Sequence, residues 1–316
     1  MYRRLTVLPF ELPVRARNLI DSMLARSPAQ SIIAAKTSSR LVVIAYHNVV
    51  DEENFRVQIE YLQRTKRLLS LTQVLDGLRG DAALPSNAVL ITFDDADRTI
   101  CERAHPVLKD YGVPAVAFVI AGHLDSEAPF WWREVEELIR RGGRTTGLSA
   151  KQDAAVRSLK EMPDRERRRK IRTLRRSLAT ERVSTEHLMK MELPTLEAAG
   201  VSIGNHTLTH PVLDRCSDRQ VKSEIVRAHR ILTEATGVEP RAFAYPNGNY
   251  DPRGAAVLKE LGYEAAFLFD HRVAYFPPED AFRISRVRVN STTPLSRFRL
   301  IVNGVHPAMH RAIGRS

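Results

Sequence analysis

The chain has 316 residues, 43% hydrophobic and 27% charged, a balance that supports a packed core and excludes disorder of the whole chain. Cys101 and Cys216 are its only cysteines, which excludes a disulfide framework and a thiolate metal cluster. The net charge of +11 comes from residues 1–40 (+5) and Asp164–Arg176 (+6); the rest is neutral, a placement that disfavours nucleic acid as a partner and favours docking on an anionic surface such as a membrane.

At the amino terminus, Arg3-Arg4 precedes a short apolar patch that Pro9, Glu11 and Pro13 interrupt, so no secretory signal is expected and the expected location is cytoplasmic, peripheral to the inner face of the membrane. Val14, Leu19, Ile20, Met23 and Leu24 recur at helical spacing among Arg15 and Arg17, which predicts a short amphipathic helix that packs on the domain or lies on lipid. Residues 1–40 form a basic extension. From residue 41 strands and helices alternate, beginning with a buried strand over 41–46 and a helix over 54–66. Further strands are predicted over 89–95, 115–120, 201–203, 242–245, 265–269 and 284–289. The longest apolar run, 115–121, is far too short to span a bilayer. Between the third and fourth strands, residues 131–190 read as a wholly helical insertion, with Ile171, Leu174 and Leu178 as the apolar stripe of its basic helix. A later helix is marked by a capping box of Ser217 and Gln220, by Ile225, Ala228 and Leu232 at helical spacing, and by Gly237 as its stop. The alternation predicts an α/β domain with a parallel sheet over 41–290, and 291–316 reads as a tail.

The polar residues fall where such a sheet places ligands. His47, Asp94 and Asp95, His206, Tyr245, and Asp270 with His271 each follow a predicted strand, and in a β/α barrel those carboxyl ends share the catalytic rim. Asp95 or Asp97 alone also suits the cap of a helix starting near Thr99. His206 and His210 alone suit one packed and one surface residue as well as two ligands; Pro211 biases His210 away from helical geometry, so the pair belongs to a loop. Two imidazoles and one carboxylate would hold a divalent metal with positions open to water and substrate, which suits a hydrolase.

In order, Thr92-Phe93-Asp94-Asp95, Asn205-His206-Thr207-Leu208-Thr209-His210 and Phe243-Ala244-Tyr245-Pro246-Asn247-Gly248 resemble the motifs of the polysaccharide deacetylases, the NodB homology domain or carbohydrate-esterase family four. Tyr46-His47 and Trp131-Trp132 resemble positions in members from bacterial surface-polysaccharide pathways. The resemblance covers residues 41–290 and implies a distorted seven-stranded (β/α) barrel that removes acetyl groups from an N-acetylated glycan with zinc or a similar divalent metal. It implies Asp94 as general base, Asp95, His206 and His210 as metal ligands, and the Tyr245 backbone amide in an oxyanion hole. The family's late Leu-x-His motif and third-motif arginine are not recognisable. Arg286 or Arg288 would replace the arginine, and His47 or His271 the histidine; each histidine also reads as a core or rim residue. Trp131 and Trp132 read as a sugar platform or as packing for the insertion. Competing readings are an O-acetyl esterase, a metal-free glycan-binding pseudoenzyme, and a membrane or nucleic-acid adaptor resting on the basic segments alone.

Overall fold

A computed structural model describes residues 20–25, 27–178 and 183–312. Among these residues there are eight strands: β1 Val42–Tyr46, β2 Arg67–Leu68, β3 Ala88–Asp94, β4 Ala115–Val119, β5 Val201–Asn205, β6 Ala242–Ala244, β7 Ala265–Phe267 and β8 Val287–Arg288. Seven pair in the parallel order β7-β6-β5-β4-β3-β1-β8, and the short β2, which the sequence did not signal, pairs with β3. A parallel bridge between Phe267 and Ile284 links β7 to the segment entering β8, so the sheet curves round into a distorted (β/α) barrel.

The strand sequences explain both faces of this sheet. Side chains alternate along a strand, and Val89, Ile91 and Phe93 pack outward with Ile44 and Tyr46 beneath the helices. Leu90 instead joins Val43, Val116, Phe118, Ala244 and Phe267 in the barrel interior. Thr92 and Asp94 continue the Leu90 face, which turns Asp94 inward where the strand ends. The helix Glu52–Thr65 is capped by Asp51, whose carboxylate accepts from the Asn54 amide at 2.9 Å, and buries Phe55, Ile59 and Leu62 along one stripe.

Several local expectations are revised. Asp97, not Asp95, caps the turn after β3, its Oδ1 accepting from the Thr99 amide at 3.0 Å. The helix Asp218–Thr236 buries Ile225, Ala228 and Leu232 and stops at Gly237 (φ 74°), but Ser217 makes no side-chain cap. Gln220 donates to Asp164 instead, which removes it from the expected capping box. The insertion has a small core of its own, in which Trp131–Arg140, Gln152–Glu161 and Asp164–Arg176 bury Leu138, Leu159, Ile171 and Leu174. It is not helical throughout: Gly142 and Gly147 take positive φ in the turns between helices, and His187 forms an isolated bridge to Asp97. Residues 291–316 are not a loose tail over their described part. The helix Leu295–Val302 buries Phe298, Ile301 and Val302 in the main core, and Val305–Ala312 follows it. At the other end, residues 20–24 are helical and the remainder of the amphipathic helix expected there lies outside the described residues.

Candidate active site

The turns after β3 and β5 are held in conformations that their own sequences would not choose. Asp95, Thr207 and His210 adopt φ values of 80°, 68° and 54°, left-handed conformations that cost non-glycine residues about 1–3 kcal/mol each where the surroundings impose them. Asn205 Oδ1 accepts from the Thr207 amide at 2.7 Å while its Nδ2 donates to the Tyr263 hydroxyl at 2.8 Å. Thr207 Oγ1 accepts from the His210 amide at 3.0 Å, and Thr209 donates its amide (2.7 Å) and hydroxyl (2.6 Å) to the buried Glu224 carboxylate. Gly122 backs the loop, with its amide 2.9 Å from the Leu208 carbonyl; a Cβ there would lie 2.4 Å from that oxygen, so no larger residue fits.

These constraints bring Asp95, His206 and His210 together, one ligand atom from each lying within 4.8 Å of the others. Asp95 Oδ1 is 3.5 Å from Nε2 of both histidines, too far for strong hydrogen bonds, and is otherwise buried without a partner. His206 Nδ1 lies 2.7 Å from the Ala244 carbonyl, which can only accept, so Nδ1 donates there and Nε2 is the ring nitrogen that faces Asp95. Burial by itself raises the Asp95 carboxyl, but the His206, His210 and His47 imidazoles outweigh it and the net direction is down. His210 is pushed well below the usual imidazole range, by burial first and by His206 second. An ionised carboxylate and a neutral imidazole are the forms that bind a cation, and the orphaned Asp95 oxygen is the atom that a cation would satisfy.

Asp94, beside this cluster, has a different partner. Arg286 donates from Nη1 to Oδ1 and from Nη2 to Oδ2, both at 2.7 Å, and its Nε is anchored on the Leu268 carbonyl at 2.8 Å. Both side chains are almost fully buried. Burial raises the Asp94 carboxyl, yet Arg286 and His206 reverse that and hold it below the ordinary carboxylate range. His47 faces the same cavity with its Nδ1 buried and unpartnered. Its pKa is lowered by burial, against the pull of Asp95 and Asp94.

The family model for polysaccharide deacetylase matches residues 81–266, which include both aspartates and both histidines. The chain belongs to the polysaccharide deacetylase family. A Staphylococcus aureus poly-beta-1,6-N-acetyl-D-glucosamine N-deacetylase is 23% identical over 242 residues, covering 76% of this chain and 68% of that protein. Among solved structures, IcaB from Ammonifex degensii superposes with a TM-score of 0.59 at 24% identity, over 84% of this chain and 97% of that one. The deacetylase PplD of Streptococcus pyogenes gives 0.57 at 18% identity, over 80% and 93%. At these identities the structural likeness speaks for the fold.

The deacetylase cavity, about 360 Å³, collects His47, Asp94, Asp95, His206 and His210 along one rim. Other expectations do not hold. The Tyr245 amide donates to the Phe267 carbonyl at 3.0 Å as part of the β6–β7 pairing, so it is not free to serve an oxyanion hole, and the Tyr245 ring packs on Phe243 and Tyr250. Asp270 accepts from Ser285, and His271 lies 3.0 Å from His306; neither reaches the cavity. The two tryptophans divide the roles weighed for them. Trp131 donates to the His210 carbonyl at 3.0 Å and lies under Arg167, whereas Trp132 stacks on Phe130 and lines the cavity. Lys160, Asn247 and Arg288 also line it, and the first of them could not be placed by sequence because the insertion carries it there.

Proposed function

We propose that this polysaccharide deacetylase removes N-acetyl groups from an acetamido sugar of a bacterial surface polysaccharide or its lipid-linked precursor, with zinc held by Asp95, His206 and His210. The observation that carries the reading is one cavity holding an ionised Asp94, oriented by Arg286, beside three converging ligand groups. The N-deacetylase name of the S. aureus relative supports the amide as the bond attacked. A divalent cation bound there supplies Lewis acidity, polarising the acetyl carbonyl and acidifying water. Asp94 is the carboxylate placed to take the attacking water's proton, and the Arg286 fork fixes both of its oxygens. The leaving nitrogen needs a proton in return. His47 is the cavity imidazole outside the ligand set, and we assign it that task. Trp132 offers a ring face for the sugar. Acetate release from N-acetylglucosamine oligomers, measured beside metal content before and after chelation, tests the reading; release that survives complete metal removal would overturn it.

The assignment of His47 gives a sharper expectation. An amide leaving group must be protonated, whereas a nitrophenolate departs without help. His47→Gln is expected to slow amide hydrolysis roughly 10²-fold or more, with a much smaller effect on nitrophenyl acetate. Equal losses on both substrates would remove His47 from the proton path.

We also propose peripheral contact with anionic membrane through the insertion, by fewer charges than its composition offers. Arg167 is 3% exposed, paired with Asp164 and stacked over Trp131, and Arg168 reaches Asp164, Thr209 and Glu224, so both are structural. Arg165, Arg169, Arg172 and Arg176 are exposed along one side of Asp164–Arg176. Each contributes about 1 kcal/mol near anionic headgroups before screening. Co-sedimentation with anionic vesicles is expected, weakening with salt and with substitution of these four by Gln; equal recovery with neutral vesicles would count against it.

A further inference from the structure

Two cations that line the cavity make no ion pair among the described residues. Lys160 comes from the end of the insertion helix Gln152–Glu161, and Arg288 comes from β8. Both line the same cavity, as do Phe269, beyond the end of β7, and Asn247. Lys160 Nζ donates to Asn247 Oδ1 at 2.7 Å, a neutral acceptor that leaves its charge uncompensated. The Arg288 guanidinium makes no ion pair among the described residues. The carboxylates of the same cavity are committed elsewhere: Asp94 to Arg286, Asp95 to the ligand cluster, Asp97 to Thr99 and Glu136 to Arg133 at 3.4 Å.

We propose that Lys160 and Arg288 form a subsite for an anionic oxygen group, carboxylate or phosphate, that the glycan carries beside the acetamido sugar being deacetylated. The proposal rests on the deacetylase reading above and adds a substrate class to it. Two like charges lining one cavity repel each other, and an anionic group bound there would relieve that repulsion. Burial lowers the Lys160 ammonium first, Asp95 and Glu136 raise it and Arg288 lowers it, and the net direction is down. Arg288 offers a planar fork suited to either oxyanion, and Lys160 adds a point charge. The Asn247 contact orients Lys160 without neutralising it. Because the insertion delivers Lys160, the same segment would select the acidic partner of the scissile sugar.

Three probes decide the matter: a neutral N-acetylglucosamine tetramer, a tetrasaccharide alternating glucuronate and N-acetylglucosamine, and N-acetylglucosamine 1-phosphate. For each, initial rates and calorimetric binding are measured on the wild type and on Lys160→Gln/Arg288→Gln, with Lys160→Arg as the charge-preserving control. The wild type is expected to favour at least one anionic probe over the neutral one by about tenfold in kcat/KM, chiefly through KM, with the preference falling as salt rises. The carboxylate and phosphate arms then distinguish an acidic sugar from a phosphorylated precursor. The double variant is expected to bring the ratio near one, and Lys160→Arg to keep it. Equal or better turnover of the neutral tetramer, or a double variant that weakens all three probes alike, overturns the subsite. If no probe releases acetate, the deacetylase reading fails on its own. Binding still separates the two claims, since an anionic probe must bind about tenfold tighter than the tetramer and lose that margin in the double variant.

Discussion

His206→Ala is expected to abolish measurable acetate release and to lower divalent-metal affinity by more than about 100-fold, since loss of a mere supporting contact to a metal ligand already costs 10–100-fold. The physical reason lies in the ring's two nitrogens. Nδ1 is tied to the Ala244 carbonyl, so Nε2 is the atom presented to Asp95, and Ala supplies neither. Removing a ring that is 2% exposed also leaves the Ala244 carbonyl short of a donor, for about 1–3 kcal/mol in the metal-free protein. Thermal unfolding separates the two effects. Metal stabilises the folded state by about 2.7 kcal/mol at a hundredfold excess over Kd, so the wild type should melt higher with zinc while the variant shows no zinc-dependent rise. A variant that retains stoichiometric metal and melts higher with it would place the ligand set elsewhere.

Asp94→Asn is expected to keep the metal and lower kcat by about 100-fold or more, the size of a lost general base. It also leaves Arg286 buried without its counter-charge. Breaking a buried ion pair from one side costs about 3–5 kcal/mol, and the Asn amide oxygen, still able to accept one bond, places this case at the lower end. The reciprocal variant, Arg286→Met, makes a separate prediction. Burial raises the Asp94 carboxyl and Arg286 is the first of the groups that bring it down, so without Arg286 the pKa should climb. The acid limb of kcat/KM then moves to higher pH. For stability the sign is that of a depressed carboxyl: in the wild type the Asp94 contribution is complete above the unfolded value of about 3.9 and is lost as pH falls through the lower folded value. In the Met variant the folded value rises toward or past the unfolded one, so this contribution should shrink or change sign. Because the two side chains share one interaction, Asp94→Asn/Arg286→Met should cost less stability than the sum of the single variants. An unmoved acid limb in Arg286→Met would separate Asp94 from the rate-controlling protonation.

Much of this site was legible because strand chemistry is local. A continuous apolar run ending in Asp94-Asp95 reads as a buried parallel strand whose end faces a crevice, and that is how β3 lies. The alternation of Leu90, Thr92 and Asp94 on one face needs only the period of two. Arg286 reaches Asp94, in place of the family's third-motif arginine, but the sequence alone offers Arg288 as well; burial tells them apart, with Arg286 turned inside and Arg288 left at the rim. The capping box at Ser217 and Gln220 misled because a propensity rule weighs neighbours in sequence, whereas Gln220 found Asp164, 56 residues away. The Tyr245 amide misled for a similar reason: its partner, Phe267, belongs to a strand whose register no local pattern fixes.

The sequence by itself determined the strand order of polar ends, the Asp-His-His set and the helical character of most of the insertion, because each depends on residue type and on spacing within a few turns of chain. Tertiary structure decided which basic residues are buried, which tryptophan meets the cavity, and that the insertion brings Lys160 to the cavity that Arg288 also lines. Those outcomes depend on packing between segments far apart in the chain, where the competition between hydrogen bonds, burial and charge is settled by contacts that no single stretch contains.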